Sequence, residues 1–565
     1  MRRTRGLITC VDLAVLAVAP IFLNWNVISS PRSTIGLANT DNEGTLWWIW
    51  SKCRGLVPDG TARHVGQPSG VDFSRFATFN LVDELRAWTA RALGCSAQDA
   101  VLVLSLFPTI ALILNLWAGY YLGTRVFGSR LNGFVVAIAG VMTSQILLST
   151  RTSLANILLA PGILAVSCVF THAKKNVRVQ MFFASFWLML QMLCNVYNGV
   201  AFLFIVLSAS LFLRSRRQLS SRIMDGLVIG WGAVLGLLPV LQGQLFLYTE
   251  SGDSQIYRPV VPSNEIVDAR VLVSSRFWFF SPAEWPQPEA GWIPLLLLIV
   301  TLIAAVGLLR SRGGEAVTRL GLISLANAML ISCLAFKVPG FGALRWLYFQ
   351  VLFPLRGVSN FAKVIPLLCT LCICSWLSKT SLTLARSNMS RVGIALVLLF
   401  NSIDSIPRGS TLGASTSLEP VEDFYEDVEP VLGSGIIAHF PDYNYGDRWG
   451  FPTRFVQLAQ IYTGREVANG RSLEDLGEKC AQMPIPDTDN SLVQLRERGI
   501  SHVILHRRLM PASQFTSSMA FLEAKNLRKF VFRSTISDNE PEIYRSLDVV
   551  IFEIAQRAKG LSSCP

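Results

Sequence analysis

Asp41 and Glu43 stand two residues apart in the stretch Asn39-Thr40-Asp41-Asn42-Glu43-Gly44-Thr45-Leu46-Trp47-Trp48, just beyond a long apolar run. A carboxylate at the edge of a membrane, roofed by Trp47, Trp48 and Trp50, loses part of its hydration and becomes a candidate general base toward a hydroxyl. The same pair also suits a plainer role, capping a helix that starts near Trp47, or holding a divalent ion. Four cations are placed to meet an anionic group at the same level: Arg151, Arg345, Arg356 and Lys363. The planar guanidinium matches phosphate oxygens in a bidentate way. Each of these cations would equally serve as a snorkelling or headgroup-binding residue.

Other chemistries find little in the chain. It has no P-loop, no GxGxxG followed by an acidic residue, no HExxH and no GxSxG. The histidines at 64, 172, 439, 502 and 506 are too scattered for a zinc site. Cys369, Cys372 and Cys374 fall inside an apolar run without a partner histidine, where cysteine behaves as a small apolar residue.

The elements that must carry these residues are set by hydropathy. The chain has 565 residues, 51% of them hydrophobic and 16% charged, where a soluble domain carries about 25% charged. Runs long enough to cross a bilayer recur up to residue 403, and backbone in lipid must pair internally, so they are read as helices. The spacing predicts about eleven spans, over 7–28, 101–122, 131–149, 154–171, 180–194, 197–213, 226–247, 292–310, 316–335, 362–379 and 391–403. The first is too long for a signal-peptide core and is read as uncleaved.

Every second loop is basic, from Arg2, Arg3 and Arg5 through Lys174, Lys175 and Arg178 to Lys379, Arg386 and Arg391. The positive-inside rule then predicts a multi-pass protein of the inner or plasma membrane with a cytoplasmic amino terminus. The loops 29–100, 248–291 and 336–361 and the carboxyl-terminal tail fall together on the outer side. Aromatic clusters in these loops, Trp47 to Trp50 and Phe277 to Phe280, fit an interfacial anchoring belt.

Residues 404–420 are rich in Ser, Pro, Gly and Thr and read as a linker. Beyond it, strand-like runs (436–439, 503–505, 549–552) alternate with helix-like ones (455–462, 491–498), which predicts a small extracytoplasmic α/β domain over 421–565. Residues 403–565 carry 17 Lys+Arg against 22 Asp+Glu, a net of −5, while residues 1–402 carry +17. The basic charge thus lies in short membrane loops and not on a soluble surface, which excludes nucleic acid as a partner. Cys53, Cys95, Cys480 and Cys564 lie outside the spans, and an oxidising space permits disulfides among them; Cys53–Cys95 with Cys480–Cys564 is one arrangement.

The first outer loop also resembles that of bacterial membrane glycosyltransferases of the GT-C superfamily. The features are Asp41 followed by Trp47 and Trp50, then His64-Val65-Gly66-Gln67-Pro68-Ser69-Gly70-Val71-Asp72. Cys194-Asn195-Val196-Tyr197-Asn198-Gly199 is similar to the short outer turn of such proteins, and Pro354-Leu355-Arg356-Gly357-Val358-Ser359-Asn360-Phe361 to their segment before a late span. Gln460 to Arg465 and Leu495 to Leu505 resemble parts of their periplasmic domain. The resemblance implies a GT-C-like membrane domain over 1–403 and transfer of a sugar from a polyprenyl-phosphate-linked donor to a glycan, lipid or protein acceptor. Asp41 would be the base, with Glu43 beside it. Arg151, Arg356, Lys363, Arg345, Trp47, His64 and Tyr197 would contact substrate. No cofactor is required, since cations can meet the leaving phosphate. Two other expectations fit the same residues: a catalytically silent scaffold or assembly subunit, and a transporter of lipid-linked glycans. Asp12 and Asp225, the acids within the spans, lie near cytoplasmic ends, which counts against the transporter.

Overall fold

The structure is a computed structural model. It describes residues 2–36, 42–57, 61–62, 71–72, 80–143, 146–147, 157–171, 177–213, 219–250, 267–268, 273–274, 293–311, 316–337, 361, 363–384, 415–433, 435–441, 451–468, 483–533 and 542–554. Of the residues singled out above, Asp41, His64, Arg151, Arg345 and Arg356 lie outside this set, as do Cys480, Cys564 and the eleventh span at 391–403.

The apolar runs form helices. In chain order these are α1 (Arg2–Leu23), α2 (Asn42–Cys53), α3 (Leu81–Leu93), α4 (Ala97–Phe127), α5 (Arg130–Val141), α6 (Ala160–Phe170), α7 (Val177–Cys194), α8 (Val196–Phe212), α9 (Leu219–Glu250), α10 (Leu295–Arg310), α11 (Ala316–Ala335) and α12 (Ile365–Leu384). Among the described residues, four are long and apolar enough to cross a bilayer unaided: α4, α7, α9 and α11. Six others are apolar but shorter, in α1, α5, α6, α8, α10 and α12. The molecule is a polytopic helical membrane protein. The side reached by the first residues of α4 and α12 is the one the charge pattern marks as outer.

Helix ends follow local chemistry. Ser96 and Asp99 form a capping box at the start of α4, and Gly128, at φ 67°, closes its end in the left-handed region. Close approach is bought with small residues. A Cβ on Gly123 would sit 2.4 Å from the Asn132 carbonyl oxygen, and one on Gly133 would sit 2.5 Å from Thr124 Cγ2, so α4 and α5 pack almost backbone to backbone. Gly232 and Gly236 of α9 press on Ser185 and Met189 of α7 in the same way.

The largest difference from the predicted spans concerns the third and fourth. The runs 131–149 and 154–171 are apolar along their length, but among the described residues the helices there are Arg130–Val141 and Ala160–Phe170, with Met142 and Thr143 non-helical and Ile146 and Leu147 helical again. At 1.5 Å per residue these are about 18 and 16 Å long, half of a bilayer core of roughly 30 Å.

Two buried amides satisfy the non-helical backbone just ahead of α6. Asn115 of α4 accepts the backbone N–H of Leu159 and Ala160, both at 2.8 Å, and donates to the Ile157 carbonyl at 2.7 Å. Gln191 of α7 accepts Gly162 N–H at 2.9 Å and donates to the Leu158 carbonyl at 3.0 Å. Backbone at membrane depth is tolerated when protein groups satisfy it. Asp12 of α1 binds Arg130 at the head of α5 and the Tyr120 hydroxyl.

After the membrane helices come β2 (Thr416–Ser417), α13 (Glu419–Val428), β3 (Ile436–Phe440), α14 (Phe451–Thr463), α15 (Asp489–Glu497), β4 (Ile500–His506), α16 (Ala512–Ala524), β5 (Lys529–Phe532) and β6 (Val549–Glu553). The four longer strands form one sheet in the order β5-β6-β4-β3. The β3–β4 pair is parallel, and β4–β6 and β5–β6 are antiparallel. Alternation along the strands sends Ala438, Phe440, Val503, Leu505, Val550 and Phe552 to one core, with Leu492 of α15 and Leu522 of α16.

Ile437, Ile504, Val549 and Ile551 face the other way, into a core that is not the domain's own. It is shared with Leu46, Trp47, Ile49 and Trp50 of α2, with Val101 and Leu104 of α4, and with Ile157. Within the stretch read as a linker, β2 pairs antiparallel with β1 (Thr34–Ile35), directly after the first span. The sheet domain is thus built onto the first outer loop.

Candidate functional site

Helix α2 begins at Asn42, the residue after Asp41. Its first turn is buried: Asn42 and Glu43 are each 1% exposed. A carboxylate in the first turn complements the helix dipole, and withdrawal from water makes its interactions stronger than at a surface. The helix carries apolar residues on several sides because it is surrounded. Leu46, Trp47, Ile49, Trp50 and Cys53 are all buried between α3, α4 and α14.

Trp47 and Trp50 therefore do not form the interfacial anchoring belt read from their clustering. They are core residues, 2% and 1% exposed, and the Trp47 indole N–H donates to Gln460 Oε1 of α14 at 2.5 Å. A buried indole needs such a partner, and the sheet domain supplies it.

The back of α2 is tied to α3. A disulfide joins Cys53 to Cys95. Arg91 donates to the carbonyls of Lys52 at 2.8 Å and Cys53 at 3.1 Å, and Arg54 Nε donates to the Cys95 carbonyl at 3.2 Å. Lys52 pairs with Glu84 and lies 4.8 Å from the centre of the Trp48 ring. Deeper, the fully enclosed Arg86 donates to Asp83 at 2.9 Å and stacks 4.2 Å over Phe107 of α4. Burial pushes the Asp83 carboxyl up from its ordinary range, and the Arg86 and Lys52 charges pull it back. Arginine holds its proton even when buried, so a guanidinium charge stands beside Asp83. Sequence reading missed this latch, although its signal, Asp83 and Arg86 one turn apart on an amphipathic helix, was present.

Two other candidates lie at the starts of membrane helices. Tyr197 is in the first turn of α8, half-buried, after an Asn195 cap whose side chain accepts Asn198 N–H at 2.9 Å. Gly199 is required in this tight turn, because a Cβ there would meet Met192 Sδ at 2.5 Å.

Lys363 lies just ahead of α12 and is 3% exposed, between the buried Phe361 and Val364. Its depth follows from the pairing of α5 with α12. Asn132 meets Ser378 near the start of α5, and Gly140 abuts Leu367, whose Cα is 3.2 Å from an ideal Cβ. Gly140 is ten residues along α5 from Arg130, and Lys363 lies one turn beyond Leu367. Lys363 is therefore about 20 Å along the bundle from the level of Arg130, toward its other end. A buried cation at membrane depth is a functional-site hypothesis by default.

The described candidates fall into two groups. Glu43 and Trp47 share α2 and the core beneath the sheet domain, while Lys363 and Tyr197 border the membrane core. Residues 157–159 join the two: Ile157 belongs to the upper core, Leu159 to the membrane core, and Leu158 packs on both. Among the described residues no cluster of three or more His, Cys, Asp or Glu side chains could hold a metal ion.

No family model matches the chain, and no curated protein matches it in sequence. Its fold does match solved structures. The arabinofuranosyltransferase AftD from Mycobacteria is similar over 97% of this chain, with TM-score 0.53 and 13% identity. ArnT from Cupriavidus metallidurans, bound to undecaprenyl phosphate, aligns over 96% of this chain and 98% of its own, with TM-score 0.49 and 12% identity. The archaeal oligosaccharyltransferase AglB from Archaeoglobus fulgidus, in complex with an inhibitory peptide and a dolichol-phosphate, aligns over 96% of this chain and 77% of its own, with TM-score 0.46 and 11% identity. This chain spans 40% of the length of the arabinofuranosyltransferase. At such identities the likeness is one of fold: the chain has the GT-C membrane fold.

Proposed function

We propose that the protein is a membrane glycosyltransferase that moves a sugar from a polyprenyl-phosphate-linked donor to an acceptor hydroxyl on the outer face, with inversion. Asp41 is the general base. It takes the acceptor proton as the acceptor oxygen forms its bond to the anomeric carbon, while the bond from that carbon to the phosphate oxygen breaks. The electron pair leaves with the polyprenyl phosphate, whose charge is met by Lys363 together with Arg151, Arg345 and Arg356. Glu43, buried one turn into α2, sets the charge around Asp41; Trp47, His64 and Tyr197 line the approach of the sugars. The reaction needs no redox or nucleotide cofactor. Residues 421–565 form the extracytoplasmic domain above this site.

One observation carries the reading: Lys363 is a basic residue enclosed in protein beside the start of a membrane helix, and on the outer-face reading it would meet the phosphate of a lipid-linked sugar. The GT-C fold supports it independently. The direct test is transfer from a polyprenyl-phosphate sugar by Asp41→Asn, which should be abolished with unchanged thermal stability. Retained transfer removes Asp41 from the mechanism. Lys363→Met should lower transfer by at least about tenfold, and Lys363→Arg should recover part of it, as expected for a charge-assisted contact. Analysis of lipid-linked glycans in a deletion strain identifies the sugar.

A further inference from the structure

The covalent tie behind α2 is also a place where the molecule can be opened chemically. Cys53 ends α2 and is buried. Cys95 lies in the Gly94-Cys95-Ser96 turn between α3 and α4, half-buried between two exposed neighbours. A thiolate from solution therefore reaches the Cys95 sulfur, and Cys53 is the leaving group.

The backbone at Cys95 is unlike that of an ordinary buried bridge. Its φ is 63°, in the left-handed region, where Asn526 is the one other non-glycine residue among the described residues. A residue with a Cβ stays there only when its surroundings impose it. Here the constraints are the Cys95 N–H bond to the Ala90 carbonyl at 3.1 Å, Arg54 Nε on the Cys95 carbonyl at 3.2 Å, and the disulfide itself.

Charge adds a second, independent argument. Cations near a sulfur stabilise its thiolate and make it a better leaving group. The helix dipole works against this at Cys53, because the last carbonyls of α2 are negative. Those carbonyls are the ones that arginine meets: Arg91 donates from Nε to Cys53 and from Nη2 to Lys52. A cysteine sulfur lies within about 5 Å of its own carbonyl oxygen, so Arg91 and Arg54 each stand close to one sulfur. Lys52 is matched by Glu84, and Asp99, which accepts Ser96 N–H at 3.1 Å, offsets one arginine. One positive charge remains in excess beside the bond.

We propose that Cys53–Cys95 is a thiol-exchange site, opened in the folded protein by a low-molecular-weight thiol or a dithiol oxidoreductase, and that its state sets how firmly α2 is held. The attacking thiolate bonds to Cys95 Sγ as the Cys53–Cys95 bond breaks, and the electron pair leaves on Cys53. A second thiolate attacks the reagent sulfur of the mixed disulfide, which releases Cys95 and yields the oxidised reagent. The protein gains two electrons, and the protons of the two reagent thiols pass through water to the two cysteines. The exchange does not depend on what the protein catalyses. That it lowers sugar transfer rests on the transferase reading above, since α2 starts one residue after Asp41.

The test equilibrates the full chain in detergent with glutathione buffers of increasing reducing strength, quenches with acid, alkylates, and reads both cysteines by mass spectrometry. Cys53 and Cys95 should be trapped as thiols under conditions in which circular dichroism shows the protein still folded. Arg54→Gln combined with Arg91→Gln should shift the reduction equilibrium at least about tenfold against opening, and Arg54→Lys combined with Arg91→Lys should recover most of the shift. A bond that persists at every glutathione ratio until denaturant is added overturns the proposal, and this reading needs no variant to fold. A glutamine pair that folds and opens as readily as the parent overturns it as well. Transfer from a polyprenyl-phosphate sugar is measured on the same samples. Activity falling in step with the trapped thiols supports the link to α2, and activity constant across the titration breaks it. Absence of transfer in the oxidised protein counts against the transferase reading and leaves the exchange site standing.

Discussion

The buried histidine pair of the sheet domain should make it acid-sensitive in a defined window. His439 of β3 and His506 of β4 are each 1% exposed, and His439 Nδ1 lies 3.0 Å from His506 Nε2. His506 Nδ1 lies 2.6 Å from the Ser546 carbonyl, which can only accept, so this nitrogen carries a proton. His506 Nε2 must then be the acceptor for His439 Nδ1–H, and both rings are neutral. A further proton on His506 would have to enter at Nε2, against that N–H. Burial pushes His506 down from 6.5 to about 4 and, with His506 beside it, lowers His439 as well. Between these values the unfolded chain binds more protons than the native one, so stability rises with pH. The contribution is complete above pH 6.5 and is lost as pH falls toward 4. At 1.36 kcal/mol per unit, His506 alone accounts for roughly 3 kcal/mol. The chain has five histidines, so ring-labelled histidine NMR can follow each one, assigned with His439→Gln and His506→Asn. Two resonances should hold their neutral position to about pH 5. Titration of both near 6.5 would refute the pairing and the stability loss derived from it.

Other tests bear on the parts that hold α2. Gln460→Leu leaves the buried Trp47 N–H without its acceptor and should cost about 1–3 kcal/mol, read as earlier thermal release of the sheet domain and faster proteolysis there; an unchanged melting profile would show the bond to be dispensable. Replacing Cys53 and Cys95 by Ser opens a connection with a sequence separation of 42 residues and should destabilise the loop by about 2–4 kcal/mol, with the same loss on reduction of the parent protein. Gly123→Leu drives a side chain into the Asn132 carbonyl and should separate α4 from α5, cutting the yield of folded protein in detergent; wild-type yield would contradict the close crossing.

The signals that are local in the chain were legible in it. Apolar length and charged flanks gave ten of the helices, and β-branched runs gave β3, β4 and β6, because each depends on residues near in sequence. The Cys53–Cys95 pairing was among the arrangements the oxidising side allowed. What was not legible depends on long-range partners. Hydropathy continues before Ala160, so no periodicity marks where α6 starts; the chain ahead of it is held by Asn115 and Gln191, 42 and 33 residues from their carbonyl partners Ile157 and Leu158. Trp47 and Trp50 looked interfacial because clustered aromatics suit both a headgroup zone and a core. Only the position of α14, about 400 residues on, decides between the two.

This last contact changes what the sheet domain is for. A base that must meet an acceptor hydroxyl needs its backbone held to within about half an ångström, and a loop alone does not provide that. Helix α2 is held behind by the disulfide and Arg91, beneath by α4, and above by Gln460 and the shared apolar core. The β1–β2 pairing closes the same arrangement at the start of the loop. Three supports converge on the helix that begins one residue after Asp41, and the one above it belongs to the sheet domain. The domain is therefore structural support for the candidate catalytic loop, whatever acceptor it also contacts. Loosening it through Gln460 should lower turnover before it lowers affinity for the lipid-linked donor, since Lys363 is held separately by the membrane core.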